Sequence, residues 1–389
     1  IWQEGGPVGK LKEEKSDFAL VLNGSPFEID KDDRRVELVK NLAAKQDVAV
    51  AYVNLVGGQD DLVFDGDSLM VDANQNLIGR GKQFEEDLLL FDIESKSSVS
   101  AASQTSAHKL DDNWQVWNAL VLGLRDYVNK NNFKSVILGL SGGIDSAVCA
   151  ALAVDALGSH RVFGVSMPSK HSSDHSKSDA ADLANRLGVN LRSEPIKGAV
   201  KDLEKQLKLK GVSAENLQAR VRGTILMSLS NQEGHLTLTT GNKSELAVGY
   251  STIYGDSVGG FAPLKDVSKT LVWQLAKWRN SLAVSEGQRP PIPENSISKA
   301  PSAELRPGQT DQDSLPDYSV LDEILDAYVE RRLGRQQIKS MGFEAATVDR
   351  VIDLVDRAEW KRRQGAIGPK ITGMAFGRDR RLPITNRYR

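Results

Sequence analysis

Among its 389 residues the chain holds one cysteine, Cys149. That excludes an internal disulfide and any zinc or iron–sulfur site assembled from several cysteines. Its five histidines show no metal-ligand spacing, and His171 and His175, in a serine-rich stretch, are expected to face solvent. Long apolar runs are also missing. Nothing approaches the ~20 residues that span a bilayer, and the N-terminus has neither the basic region nor the apolar core of a signal peptide. A cytoplasmic protein without membrane contact is therefore expected. Net charge is nearly absent, with 50 Lys and Arg against 52 Asp and Glu, so no global attraction draws nucleic acid. There is no internal repeat, and Ile1 stands where a methionine would open a full-length chain, which points to a fragment or a processed chain. The rest is ordinary: 40% hydrophobic residues, a mean hydropathy of −0.35, and enough length for two or three domains with their own cores.

The most informative stretch present is KSVILGLSGGIDSAVCAALAVDALG, ending at Gly158. A short apolar strand breaks into SGGIDS and then into an Ala-rich helix. Gly142 and Gly143 let backbone amides turn inward around an anion, Ser141 and Ser146 add hydroxyl donors, and the helix presents its positive end, roughly half a charge. Asp145 is repulsive beside a phosphate unless a divalent cation lies between them, so Mg²⁺ is expected together with phosphate. The pattern is neither GxGxxG nor Walker A, since no GK[ST] follows the glycines. A glycine-rich turn that binds nothing is the bland alternative, and the serines and the aspartate together weigh against it.

Along the chain, DFALVLN reads as a strand, KDDRRVELVKNLAAKQD as an amphipathic helix, VAVAYVNLV as a buried strand, and LVFDGDSLMVDANQNLIGR as a hairpin turning at Ala73 to Asn76. Residues 1–92 form a first domain on this reading. The Ser- and Ala-rich stretch that follows, 93–111, reads as a linker. From Asp112 a longer unit begins, with strands near Ser135–Leu140, Arg161–Met167, Val189–Glu194 and His235–Thr240 between helical stretches, which argues for a parallel doubly wound sheet. PSKHSSDHSKSDA suits either a mobile flap or a solvated helix start capped by Ser and Asp. Glu286 to Asp317, crowded with Pro, Ser and Gln, reads as an exposed or ligand-ordered loop. The end of the chain is helical and then basic.

SGGIDS resembles the signature of the PP-loop ATPases, which split ATP between its α and β phosphates. Together with ENLQARVRG from Glu215, TTGNKSELAVGYSTIYGDSVGGFAPLKDVSKT from Thr239 and the closing KITGMAFGRDRRLPITNRYR, it resembles the synthetase domain of glutamine-dependent NAD⁺ synthetases, over 112–389. The resemblance implies an α/β, doubly wound parallel sheet of the adenine nucleotide alpha hydrolase type. It implies amidation of nicotinic acid adenine dinucleotide (deamido-NAD⁺) to NAD⁺ as ATP becomes AMP and pyrophosphate. It places ATP on Gly139, Leu140, Ser141, Gly142, Gly143, Ile144, Asp145, Ser146 and Thr240, and Mg²⁺ on Asp145 and Glu245, the two catalytic carboxylates. It places deamido-NAD⁺ on Asn216, Arg220, Glu245, Lys370 and Arg378, with Arg220 and Arg222 as additional phosphate or carboxylate partners and the tail residues Lys370, Arg378 and Arg380 closing over the bound nucleotides. Helix arginines are more often solvated or salt-bridged, Glu245 near a helix start also suits a cap, and a basic tail suits a surface charge run. Cys149, on the apolar helix, reads as a small core residue. A homo-oligomer is implied as well.

Residues 1–92 resemble the second half of a nitrilase-type αββα amidase, on NGSPF at Asn23–Phe27 and YVNLVGGQDDLVFDG at Tyr52–Gly66. Such amidases use a Glu, Lys and Cys triad to release ammonia from glutamine. The expected cysteine would precede IWQEGGPV, so the triad is expected to be missing from this chain, with Ser25 and Lys31 a relic of glutamine binding. Use of ammonia alone is then expected, with glutamine dependence left to a full-length form. Exposed sheet edges and apolar surface are expected in such a half-domain. Two alternatives stay open: another PP-loop adenylating amidotransferase such as a GMP synthetase, and a non-catalytic nucleotide-binding protein, against which the presence of both Asp145 and Glu245 speaks.

Overall fold

The computed structural model describes residues 7–101, 106–172 and 174–385. The chain separates into two compact units, residues 1–123 and 124–389.

In the first unit, β1 (Phe18–Asn23) and β2 (Ala49–Asn54) pair in parallel, with α1 (Lys31–Gln46) between them in sequence. A small hairpin follows, β3 (Val56–Gln59) with β4 (Leu62–Asp65). Then β5 (Leu69–Val71) and β6 (Leu77–Arg80) complete a sheet of order β1-β2-β5-β6. Successive strand side chains point to opposite faces. Ala19, Val50, Tyr52, Leu69 and Val71 therefore pack on Val39 and Ala43, whereas Leu20 and Leu22 on the other face are 60% and 73% exposed. The expected exposed apolar surface is present.

The stretch expected as a linker is not all irregular. β7 (Phe91–Ser95) and β8 (Ser98–Ala101) form a hairpin, with Ile93 opposite Val99. Phe91 anchors it, its ring so close over Gly79 that an added Cβ there would lie 2.6 Å from it. The division between the two units falls within α2 (Asp112–Lys130) rather than before it.

Most of the charge buried in the first unit is paired, whereas Asp72 accepts instead from the amides of Asn74 and Asn76. Arg35 of α1 forks onto both oxygens of Asp65 at 3.0 Å and reaches Asp67 at 3.4 Å. Arg80 donates to Asp67 and Asp32, and Gln115 also donates to Asp32. Removing one partner from such a network leaves uncompensated buried charge, which costs about 3–5 kcal/mol. Arg35→Ala should therefore lower the stability of the first unit by about 3 kcal/mol or more in urea denaturation. A loss under ~1 kcal/mol would show that the network stabilises little.

The second unit contains β9 (Val136–Gly139), α3 (Ile144–Leu157), β10 (Val162–Ser166), α4 (Asp174–Leu187), β11 (Asn190–Ser193), α5 (Lys197–Leu207), α6 (Val212–Glu233) and β12 (Leu236–Thr237). All its strand pairs are parallel, in the order β11-β10-β9-β12. Val136, Ile137 and Leu138 are fully buried, as in a parallel sheet covered by helices. The fold is α/β with a parallel sheet, as the sequence implies. From β9 the chain builds outward through β10 to β11, then returns to place β12 on β9's other side. Ligands of open α/β sheets sit at the carboxyl ends of strands where the order reverses in this way. Beyond the sheet come α7 (Lys243–Val248), α8 (Lys269–Ser285), α9 (Glu294–Ser298), α10 (Tyr318–Leu325), α11 (Arg335–Lys339), α12 (Ala345–Arg357) and α13 (Glu359–Arg362). Val348, Val351, Ile352 and Val355, at helical spacing on α12, bury against Leu321 and Ile324 of α10. Among the described residues no helix is long and apolar enough to cross a membrane.

Candidate active site

SGGIDS leaves β9 at the point of strand reversal and enters α3. Gly142 has φ +79°, and a Cβ there would lie 2.6 Å from the Ser176 carbonyl, so both conformation and space call for glycine. The loop is braced by its own serines. The Gly143 amide donates to Ser141 Oγ at 3.2 Å, and Ser146 Oγ donates to the Gly143 carbonyl at 3.0 Å. Ser296 Oγ holds the Gly142 carbonyl from α9.

Asp145 lies in the first turn of α3, where the helix dipole favours a carboxylate. Its Oδ1 accepts from Asn242 Nδ2 at 2.9 Å and its Oδ2 from Lys269 Nζ at 2.5 Å. Asn242 caps α7 in a capping box with Glu245: Oδ1 of Asn242 accepts the Glu245 amide, and Oε2 of Glu245 accepts the Asn242 amide at 3.4 Å. Glu245 is thus a helix-capping residue, and its Oε1 also meets Lys269 Nζ at 3.4 Å. Burial pushes the Glu245 carboxyl up to about 8, Lys269 opposing and Asp145 adding to the rise. Burial would push the Lys269 ammonium down, but Asp145 and Glu245 beside it hold it above its ordinary value. Among the described residues no cluster of three or more His, Cys, Asp and Glu forms a metal cage. Mg²⁺ is commonly held by one or two carboxylates with substrate phosphates and water completing the shell, and Asp145 with Glu245 fits that donor set.

A cavity opens over this cluster, and Gly139, Leu140, Ser141, Gly143, Ile144, Asp145, Ser146, Thr240, Glu245 and Arg222 all line it. Gly142 braces the loop from behind. The far wall is the irregular segment 249–256, which contributes Tyr250, Thr252 and Asp256. Its carbonyls are tied down by cations: Lys361 Nζ donates to those of Gly249 and Ser251 at 2.7 and 2.8 Å, and Arg220 Nε to that of Ile253 at 3.2 Å. Asn216 stands one step behind this wall, accepting from Thr252 Oγ1 at 2.9 Å.

The remaining residues of the implied set are not brought to the cavity wall. Arg220 is exposed on α6. Lys370 is buried against Asp379 at 3.0 Å, Arg378 is exposed, and Arg380 lies over the Tyr328 ring. In the first unit Ser25 is buried with its hydroxyl unpartnered, and Lys31 donates to the Pro26 carbonyl. Cys149 is fully buried, and burial pushes its thiol well up. Sequence reasoning missed Lys269, Asn242 and Lys361. A signal for Lys269 existed: a lysine directly after the Ser268 cap opposes the helix dipole and calls for an acidic partner.

A family model described as NAD synthase matches residues 116–365. The chain belongs to the NAD synthase family. This family member is 47% identical to the glutamine-dependent NAD(+) synthetase of Acinetobacter baylyi, across 98% of this chain and 71% of that one. A solved structure of glutamine-dependent NAD⁺ synthetase from Acinetobacter baumannii, in complex with ADP, aligns at a TM-score of 0.71 and 46% identity, covering 97% of this chain and 70% of that chain. NMN synthetase from Francisella tularensis aligns at 0.55 and 28% identity, covering 65% of this chain and 97% of that chain.

The Glu245 carboxyl predicts a pH dependence. A group whose folded value is raised holds its proton in the native state after the unfolded chain has lost it. Stability is therefore lost as pH rises from about 4.5 towards about 8. In thermal melts with chelator and without nucleotide, Glu245→Gln should lose less stability than the wild type between pH 5 and pH 9. Equal losses would contradict the assignment.

Proposed function

We propose that this NAD synthase family member amidates the nicotinate carboxylate of deamido-NAD⁺, giving NAD⁺ while ATP becomes AMP and pyrophosphate. The observation that carries the reading is the junction of two motifs at the strand reversal, where Asn242 of GNKSE holds Asp145 of SGGIDS at 2.9 Å. A carboxylate resists ammonia until its oxygen becomes a good leaving group. In the first step a nicotinate oxygen attacks the α phosphorus and the bond to the β-phosphate oxygen breaks. The amides of Ile144 to Ser146 at the start of α3 and the hydroxyl of Ser141 take the charge of the departing pyrophosphate. Thr240 contacts ATP, Glu245 orients the dinucleotide, Asn216 braces the wall that faces it through Thr252, and Arg222 offers a phosphate partner. In the second step ammonia attacks the acyl carbonyl, AMP departs, and the nitrogen releases its proton to solvent. Mg²⁺, when held by Asp145 and Glu245, supplies charge neutralisation at the phosphates.

The nitrogen source proposed for the 389-residue polypeptide is ammonia. Its one cysteine is buried in α3 and presents no thiolate to a glutamine amide. Glutamine dependence belongs by name to the relatives, and likeness to them lends no support to a restriction to ammonia. A cytoplasmic, homo-oligomeric enzyme completes the proposal, on the resemblance alone.

The test supplies the purified chain with ATP, Mg²⁺ and deamido-NAD⁺, adding ammonium or glutamine, with nicotinic acid mononucleotide as a parallel acid because of the NMN synthetase likeness. Equal amounts of NAD⁺ and AMP are expected with ammonium, none above background with glutamine, and a fall in kcat of about 100-fold or more for Asp145→Asn. Absence of NAD⁺ with either nitrogen source overturns the reading, comparable rates with glutamine overturn the nitrogen source, and faster turnover of the mononucleotide overturns the choice of acid.

A further inference from the structure

Each oxygen of the two carboxylates at the centre of the site accepts from a donor of the chain itself. Asp145 Oδ1 is taken by Asn242 Nδ2 and Oδ2 by Lys269 Nζ. Glu245 Oε1 is taken by Lys269 Nζ and Oε2 by the Asn242 amide. Lys269 is 1% exposed, and the rings of Trp273 and Tyr318, centred 5.7 and 5.1 Å from its nitrogen, favour a cation there. An ammonium thus stands between the oxygens that a divalent ion would need.

We propose that Lys269 holds the cation position between Asp145 and Glu245 in the nucleotide-free protein and excludes a divalent ion until nucleotide phosphates arrive to accept the ammonium. A second positive charge cannot join the first at hydrogen-bond distance without strong repulsion in a buried setting. Two carboxylates without phosphate also leave most of a Mg²⁺ shell to water. Phosphates change both conditions, since they supply oxygen ligands to the metal and negative charge to the lysine. The metal therefore enters with the nucleotide rather than ahead of it. This inference rests on the proposed reading of Asp145 and Glu245 as metal ligands.

Direct titration of nucleotide-free protein with Mn²⁺, followed by the electron paramagnetic resonance of free Mn²⁺ at pH 8, tests it without any turnover. The wild type should bind Mn²⁺ as weakly as Asp145→Asn does. Lys269→Met should bind at least tenfold more tightly, and the Lys269→Met, Asp145→Asn double variant should lose that gain. Loss of the gain in the double variant separates binding at this site from metal taken up by carboxylates that misfolding exposes; Lys269→Gln, with the same expected gain, serves if the Met variant fails to fold. Wild-type binding tenfold tighter than that of Asp145→Asn, or no gain in a folded Lys269 variant, overturns the proposal. Failure of amidation would leave these titrations unchanged, and failure of the titrations would leave amidation standing.

Discussion

Lys269 is opposed twice by elementary electrostatics, since it opens a helix whose dipole is positive at that end and it is removed from water. It persists because Asp145 and Glu245 close on it from two different segments. Asp145 arrives on the turn after β9, and Glu245 arrives on α7 after β12. Each carboxylate would be costly to bury without the ammonium, and the ammonium without them. Breaking such a group by removing one member costs more than the group adds to stability when intact. The cluster therefore fixes where the phosphate loop, the Asn242 capping box and the start of α8 stand relative to one another.

The sheet brings those segments to one place. Because β9 lies between β10 and β12, the turns that follow β9 and β12 emerge side by side at the same edge. One carries SGGIDS and the other TTGNKSE. The loop's free amides and the α3 N-terminus supply donors for anionic oxygen, and the cluster beside them supplies carboxylates and a cation. Lys361 and Arg220 then set the opposite wall by holding carbonyls of a segment that has no strand or helix ladder of its own. On the proposed reading, anion binding, charge neutralisation and positioning are divided among three neighbouring parts of one unit.

The parts visible in the sequence are those whose cause is local. β9, the glycine turn and α3 follow one another within 24 residues from Lys134 to Leu157, and glycine, serine and aspartate act there through backbone geometry. Glu245 was visible both as a motif residue and as a helix-start carboxylate, and it is both in the structure. Lys269 was not visible because its partners lie 124 and 24 residues away. The sequence motif offers Arg220 and Arg222 as a pair, yet residues two apart on an α-helix point about 200° apart. Arg222 accordingly reaches the cavity while Arg220 turns to the Ile253 carbonyl. The hairpin at Phe91–Ala101 was hidden by its Ser-rich composition, since its anchor is the contact of Phe91 with Gly79 in a strand already passed.

The central claim is that the site joins the substrate carboxylate to the α phosphorus before nitrogen enters. The most direct measurement is the fate of carboxylate oxygen in one turnover with ammonium, using deamido-NAD⁺ labelled with ¹⁸O in the nicotinate carboxyl and mass analysis of the nucleotide products. The account predicts one ¹⁸O in each AMP and none in pyrophosphate. AMP formed without label would contradict it.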